Sequence, residues 1–498
     1  MLPGRCRVYC NKIPLIYEGQ RFGEQNGGWM HHPRNRTSAR PSRLLWQPAP
    51  PPSQNPTNLP AGKTGAGNRP AGDRNGAAPC ASVAAYIVYH IPGVLDRIIH
   101  TFCLFIAEGV WYNNTITAAE RPERGIMKKI GKFIGRFLQN TDKLIWVVAL
   151  GLSTLSVLLL TGIYEAGYVQ LRTVQVQAIA VGIGVAGAVI AAQFDPEDLA
   201  GLWKLYVPPV ALLMVMTYFM GTVREGSTNK SWLDLGFVSI QPSEFLKIAF
   251  ILTFALHLSK VGDGLNEPRT LIPVLIHGAI PVGMVLIQRD AGVALIVVCI
   301  LCAMLFAAGL AARYIAMAAG ALVVAAPVLW FGVMSEYQKL RFLVLFDPEH
   351  DPLGITYQQN RGLTAIGSGQ IFGIGIFNDN HIYVPENYND FIFTFLGESL
   401  GFVGCFLTIL ALAVLCGRIL HNGLRSHTQV GKFVCVGVFA MIAFQAVINI
   451  GMCLMVAPVI GITLPLLSGG GSSVLSVYAG LGLVLGVYAD SNKNMFSN

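Results

Sequence analysis

A series of apolar runs limits what this chain can become more than any other feature. Each is close to the roughly 20 residues a helix needs to cross a bilayer. They lie at 144–164, 174–192, 202–220, 245–259, 271–286, 291–309, 314–332, 391–416, 433–456 and 473–488. In hydrocarbon only helices and closed barrels satisfy every backbone group, and runs of this length mean helices. The sequence therefore predicts an all-α, polytopic membrane protein with about ten transmembrane helices. Charge agrees: Asp, Glu, Lys and Arg make up 12% of the chain and hydrophobic residues 53%, where an average soluble protein is about 25% charged. So little charge could not cover a soluble domain. A soluble enzyme, a disordered chain and a nucleic-acid binder are thereby excluded.

The net charge of +8 is uneven, because residues 1–126 hold 14 Lys and Arg against 7 Asp and Glu. Residues 1–80 are rich in Pro, Gly, Asn and Arg, read PAPPP at Pro48 to Pro52, and have no hydrophobic periodicity, and the more apolar 81–117 are interrupted by Asp96, Arg97 and His100. Such a stretch cannot bury enough apolar surface to offset its ordering entropy. Residues 1–126 are expected to be a low-complexity, disordered or non-native extension, and 127–498 the membrane domain. The basic run KKIGKFIGRF directly after Met127 makes Met127 the expected natural start. Of the ten cysteines, six fall in apolar runs and none shows paired CxxC…CxxC spacing, so disulfide or structural metal roles are not expected.

Lys and Arg in short loops set orientation. Lys128, Lys129, Lys132, Arg136 and Lys143 precede the first span, and Arg418, Arg425 and Lys432 sit between spans eight and nine. With ten spans these fall on one side, the cytoplasm, and both termini are expected there. The long 335–390 connection then faces outward, before helix eight. Connections of this length tend to be functional.

Polar residues gather in four segments on that outer side. In SWLDLGFVSIQPSEFLKIAF, Pro242 suits the first turn of span four. Ser243, Glu244 and Lys247 share one helix face there. A Glu and a Lys inside a span are costly and face a cavity or each other, so this is either a ligand site or a structural ion pair. Gln288-Arg289-Asp290 is either an ordinary hairpin turn or part of the same site. Glu386 and Asp390 precede span eight, where a carboxylate can cap a helix or act as a general base. Glu398 is eight residues beyond Asp390, about 80° round the helix and roughly 12 Å along it, so the two do not pair. Finally, in APVIGITLPLLSGGGSSVL, Ser468 and Gly469–Gly471 precede span ten. They offer either backbone N–H groups for an anion or a tight-packing re-entrant turn. The chain has no GxxxxGK[ST], HExxH or GxSxG, so nucleotide-driven pumping, zinc proteolysis and a nucleophile elbow lack support.

Together these strings resemble the SEDS family (shape, elongation, division and sporulation) of RodA- and FtsW-like proteins, over about residues 140–490. The resemblance rests on WLDLGF, QPSEFLKIAF, FDPEHDPLGITYQ, AIGSG, VPENYNDFIF, GESLGFVG, NIGM and GITLPLLSGGGSS, in the family's order. It implies a peptidoglycan glycosyltransferase of the bacterial cytoplasmic membrane that polymerises lipid II at the outer face, beside a class B penicillin-binding protein. The rival readings are a lipid II flippase and a non-catalytic scaffold. The family's essential aspartate corresponds to Asp390, and its QPSE-x-x-K cluster to Gln241, Ser243, Glu244 and Lys247. Asp290, Arg341, Glu386 and Ser468 complete the expected substrate contacts. A divalent cation, Mg or Mn, is compatible with Asp390 as a ligand. Departures from the family are Ser231 where Arg is usual, Arg289 in QRDAGVA, Tyr388-Asn389 before Asp390, and NDNH at 378–381.

Overall fold

The computed structural model describes residues 137, 139–222, 230–234, 236, 239–347, 354 and 356–495. All fall within the unit Ile99–Asn498. The expected 1–126 extension and the basic run after Met127 lie outside the described residues.

Thirteen helices and one short hairpin follow in order among the described residues: α1 (Lys143–Glu165), α2 (Leu171–Ala191), α3 (Pro196–Gly201), α4 (Trp203–Met220), β1 (Leu233–Asp234), β2 (Ser239–Ile240), α5 (Pro242–Val261), α6 (Pro268–Ile287), α7 (Ala291–Ala307), α8 (Ala312–Val328), α9 (Glu336–Leu343), α10 (Tyr357–Ser368), α11 (Ile392–Leu424), α12 (Gln429–Cys453) and α13 (Gly471–Met495). Nine are long and apolar enough to span a membrane, and the 17-residue α7 is a shorter apolar helix in series with them. These match the ten predicted runs. Predicted spans four and five, which looked short at 245–259 and 271–286, fill Pro242–Val261 and Pro268–Ile287 because both open on a proline at the first turn, where the missing N–H is no loss.

Two features went beyond the expected pattern. The 335–390 connection is not irregular throughout. Ser335 and Gln338 form a capping box that starts α9, and α10 follows. Before α5, Leu233 pairs with Ile240 and Asp234 with Ser239 in an antiparallel hairpin.

Helix α13 forms the centre of the bundle. Tyr478 is fully buried and its hydroxyl shares a 2.8 Å hydrogen bond with Ser153 of α1. At the end opposite Asp390, Asp142 caps α1 and its other oxygen takes Arg418 Nε at 2.6 Å and Asn422 Nδ2 at 2.9 Å. This ties the start of α1 to the end of α11. Helix α8 buries none of its residues.

Helix α11 breaks at Gly401, whose φ of 65° and ψ of −164° are non-helical. A Cβ there would collide with the backbone of Ile371 and Gly373. The break leaves backbone groups without helical partners, and the 370–375 strap takes them. Phe402 N donates to Gln370 O, Val403 N to Ile371 O, Ile374 N to Glu398 O and Gly375 N to Ser399 O, at 2.8–3.1 Å. The connection is thus fastened onto the helix that Asp390 precedes.

Candidate active site

Asp390 closes a tight turn just ahead of α11. Glu386, at φ 57°, presents its carbonyl to both Asn389 N at 3.0 Å and Phe391 N at 3.1 Å. The turn is held from three sides. Asn449 of α12 donates through Nδ2 to Asp390 O at 2.8 Å and to Ile462 O at 2.6 Å. Ser468 Oγ donates to Asn389 O at 2.7 Å and accepts Leu464 N at 2.7 Å. Gly469 N donates to Tyr388 O at 2.7 Å. Behind these, Gln177 of α2 donates to Ser468 O, and Ser156 of α1 to Leu467 O. The acidic turn and the 457–470 segment are therefore one sewn unit, although 59 residues separate Asp390 from Asn449.

The Asp390 side chain is half-buried. Its Oδ2 lies beside Gly461, where a Cβ would stand 3.5 Å away. Gly461 has φ +72°. Arg341 reaches the same segment from α9, donating to Val459 O at 2.8 Å. It brings a guanidinium to the strand of chain that carries Gly461. Glu386 is half-buried on the turn itself.

The QPSE block forms a second group, joined to the first through the SGGGSS turn. Gln241 N donates to Ser472 Oγ at 3.1 Å, and Gln241 Nε2 to Asp290 Oδ2 at 3.0 Å. Asp290 Oδ1 accepts Val293 N at 3.1 Å and caps α7. Burial pushes the Asp290 carboxyl above its ordinary range, and the Val293, Gln241 and Ser231 hydrogen bonds pull against it.

A third group lies one turn deeper. Lys247 Nζ and Glu244 Oε1 are 2.8 Å apart, with side chains 0% and 3% exposed. Ser476 donates to Glu244 Oε2 at 2.6 Å. Gln445, with its amide oxygen turned to Lys247, accepts at 2.9 Å. Both charges are enclosed and matched by protein.

Lys247, Glu244 and Ser243, expected as ligand contacts, are buried. Ser468 has both roles of its hydroxyl occupied by backbone. Asp290 is a buried cap. Asp390, Glu386, Arg341 and Gln241 are partly accessible. Asn449 was missed by sequence reasoning, although it opens the NIGM string.

With this geometry in place, comparison with known proteins is decisive. The FtsW/RodA/SpoVE family, described as "Cell cycle protein", matches residues 142–493. This chain belongs to that family. The peptidoglycan glycosyltransferase MrdB of Escherichia coli K12 is 33% identical over 322 residues, covering 64% of this chain and 85% of that protein. Stage V sporulation protein E of Bacillus subtilis is 36% identical over 288 residues, covering 55% and 78%. A solved structure described as "Structural coordination of polymerization and crosslinking by a peptidoglycan synthase complex" superposes with a TM-score of 0.60 at 27% identity, covering 70% of this chain and 98% of that one. A Thermus thermophilus RodA variant gives 0.52 at 25% identity over 70% and 98%. The SEDS strings thus belong to a SEDS fold, a multi-pass bacterial membrane protein.

Proposed function

We propose that this protein is a peptidoglycan glycosyltransferase that polymerises lipid II, with Asp390 as general base. The observation that carries this reading is a half-buried carboxylate whose backbone is clamped by Asn449 and flanked by Ser468, with its Oδ2 beside Gly461. The acceptor sugar's 4-hydroxyl loses its proton to Asp390 as its oxygen attacks the donor's anomeric carbon. The bond to the lipid pyrophosphate breaks, and direct displacement inverts an α-linked donor to a β-1,4 glycan. A positioned base contributes about 10²–10⁴-fold. Arg341, fixed to the segment beside Asp390, balances charge on the departing pyrophosphate.

Among the described residues no three His, Cys, Asp or Glu side chains converge on a metal-sized site. Asp390 would be the carboxylate to hold a Mg²⁺ or Mn²⁺ ion, in keeping with sites built on one or two carboxylates. Such an ion would offset leaving-group charge.

In this reading the Asp390 end faces outward and both termini face the cytoplasm. A class B penicillin-binding protein is the partner, in keeping with the synthase complex whose fold this chain shares. A flippase reading depended on Glu244 and Lys247 lining a polar path, and both are enclosed by protein. Purified protein in detergent with labelled lipid II tests the proposal: glycan strands form without two compartments. Lipid II movement across vesicles with no glycan formed in detergent overturns it.

A further inference from the structure

Glu398 lies within α11, well away from Asp390, with its side chain 1% exposed. It is spent entirely on the strap that leads into the acidic turn. Oε1 accepts Ile382 N at 2.8 Å. Oε2 lies 3.0 Å from His381 Nδ1, and His381 Nε2 lies 3.2 Å from Ile376 O. The imidazole is itself buried against the Phe395 ring, 4.5 Å between centroids.

A proton count follows from these contacts. Ile376 O can only accept, so Nε2 carries a hydrogen. The Nδ1···Oε2 contact then needs one more proton, on either atom. The buried pair therefore holds one proton beyond a neutral imidazole and a carboxylate, and is neutral overall. Without that proton the carboxylate would be a net charge in a low-dielectric interior, which is costly. The titratable and charged groups facing the pair come from three other places. Tyr168, in the α1–α2 turn, donates to His381 O at 2.6 Å. Tyr383 follows on the strap and packs edge-on to Tyr168. Arg361 of α10 donates to Tyr383 O at 3.2 Å. Burial, and next the Glu398 charge, push the Tyr168 phenol up, so it stays a donor.

Glu398 also holds the strap by its backbone, since Ile374 N donates to Glu398 O at 3.0 Å. Residues 374–382 thus form a loop closed at both ends on one helical turn. From the carboxylate's bond at Ile382, Tyr383, Val384 and Pro385 lead straight to Glu386, whose carbonyl organises the Asp390 turn.

We propose that His381 and Glu398 form a proton-sharing clasp that positions the Glu386–Asp390 turn for glycan transfer. This rests on the glycosyltransferase reading above. The pair are positioning residues and touch no substrate.

Glu398→Gln is the discriminating variant. Its amide oxygen accepts Ile382 N–H and its NH₂ donates to Nδ1 of a neutral His381, whose Nε2–H still reaches Ile376. All three contacts survive. Two readouts are taken: polymerisation of labelled lipid II in detergent, and thermal unfolding of the purified full chain. Glu398→Gln should fold and stay within about threefold of wild type in turnover. Glu398→Ala should lose about 10²-fold in turnover, the scale of a 1 Å misplacement. Wild-type turnover in Glu398→Ala, or a loss in Glu398→Gln as large as that in Glu398→Ala, would overturn the clasp. If the wild type makes no glycan, the function proposal fails instead, and the unfolding profiles still report on the clasp.

Discussion

Asn449→Ala tests whether the Asp390 turn depends on its clamp. In the native protein one side-chain NH₂ satisfies two carbonyls, Asp390 O at 2.8 Å and Ile462 O at 2.6 Å, and Asn449 is fully buried. Alanine removes both donors and leaves no room for bulk water. A buried group left unsatisfied costs about 1–3 kcal/mol, so two carbonyls set a destabilisation of about 2–6 kcal/mol, concentrated where α12 meets the 457–470 segment. The chain can recover part of that only by moving the carbonyls, which moves the Asp390 carboxylate with them. Displacement of that order costs about 10²-fold in turnover. The assay is polymerisation of labelled lipid II by the purified variant, with thermal unfolding in the same detergent. Asn449→Asp offers the informative contrast, because a carboxylate cannot donate to either carbonyl, and it should be at least as impaired. Wild-type turnover and stability in Asn449→Ala would refute the clamp.

Other outcomes follow from the same geometry. Lys247→Met should destabilise by about 3–5 kcal/mol because it strands the Glu244 carboxylate, whereas Glu244→Gln combined with Lys247→Met should recover most of that loss; thermal unfolding of both variants checks it. Gly461→Ala should lower turnover while costing about 1–2 kcal/mol in stability, since φ is +72° and the new methyl would stand 3.5 Å from Asp390 Oδ2; unchanged kinetics would free that face of any role. Asp290 has its carboxyl raised by burial, so the folded state binds its proton more tightly than the unfolded chain, and stability should fall as pH rises from the ordinary value of 3.8 through the raised one. Asp290→Asn, which still caps a helix, should flatten that part of the unfolding profile.

The spans were legible in the sequence because an apolar run of bilayer length has one physical outcome. Pro242 and Pro268 even mark where two of those helices begin. The acidic turn was legible too, since Glu386 and Asp390 stand polar at the threshold of an apolar helix. The burial of Lys247 was not legible, for a definite reason. Helical spacing places it on one face with Glu244, but periodicity does not say whether α12 and α13 cover that face. Asn449, Ser468 and Gln177 act by side-chain bonds to backbone far along the chain, and such bonds leave no local pattern. The Gly401 break reads as an ordinary small residue in a span until the strap that satisfies it is seen. The capping box of α9 was written in Ser335 and Gln338, at the start of a connection judged only by its length.

The central claim is that Asp390 takes the acceptor's proton. Asp390→Asn keeps the side-chain size and leaves the carbonyl that Asn449 holds untouched, and it removes the basic oxygen. Polymerisation of labelled lipid II by the purified Asn variant should fall by at least about 10²-fold, with thermal unfolding preserved. A cap would tolerate Asn almost as well as Asp, so near-wild-type glycan synthesis by a normally folded Asp390→Asn protein would contradict the account.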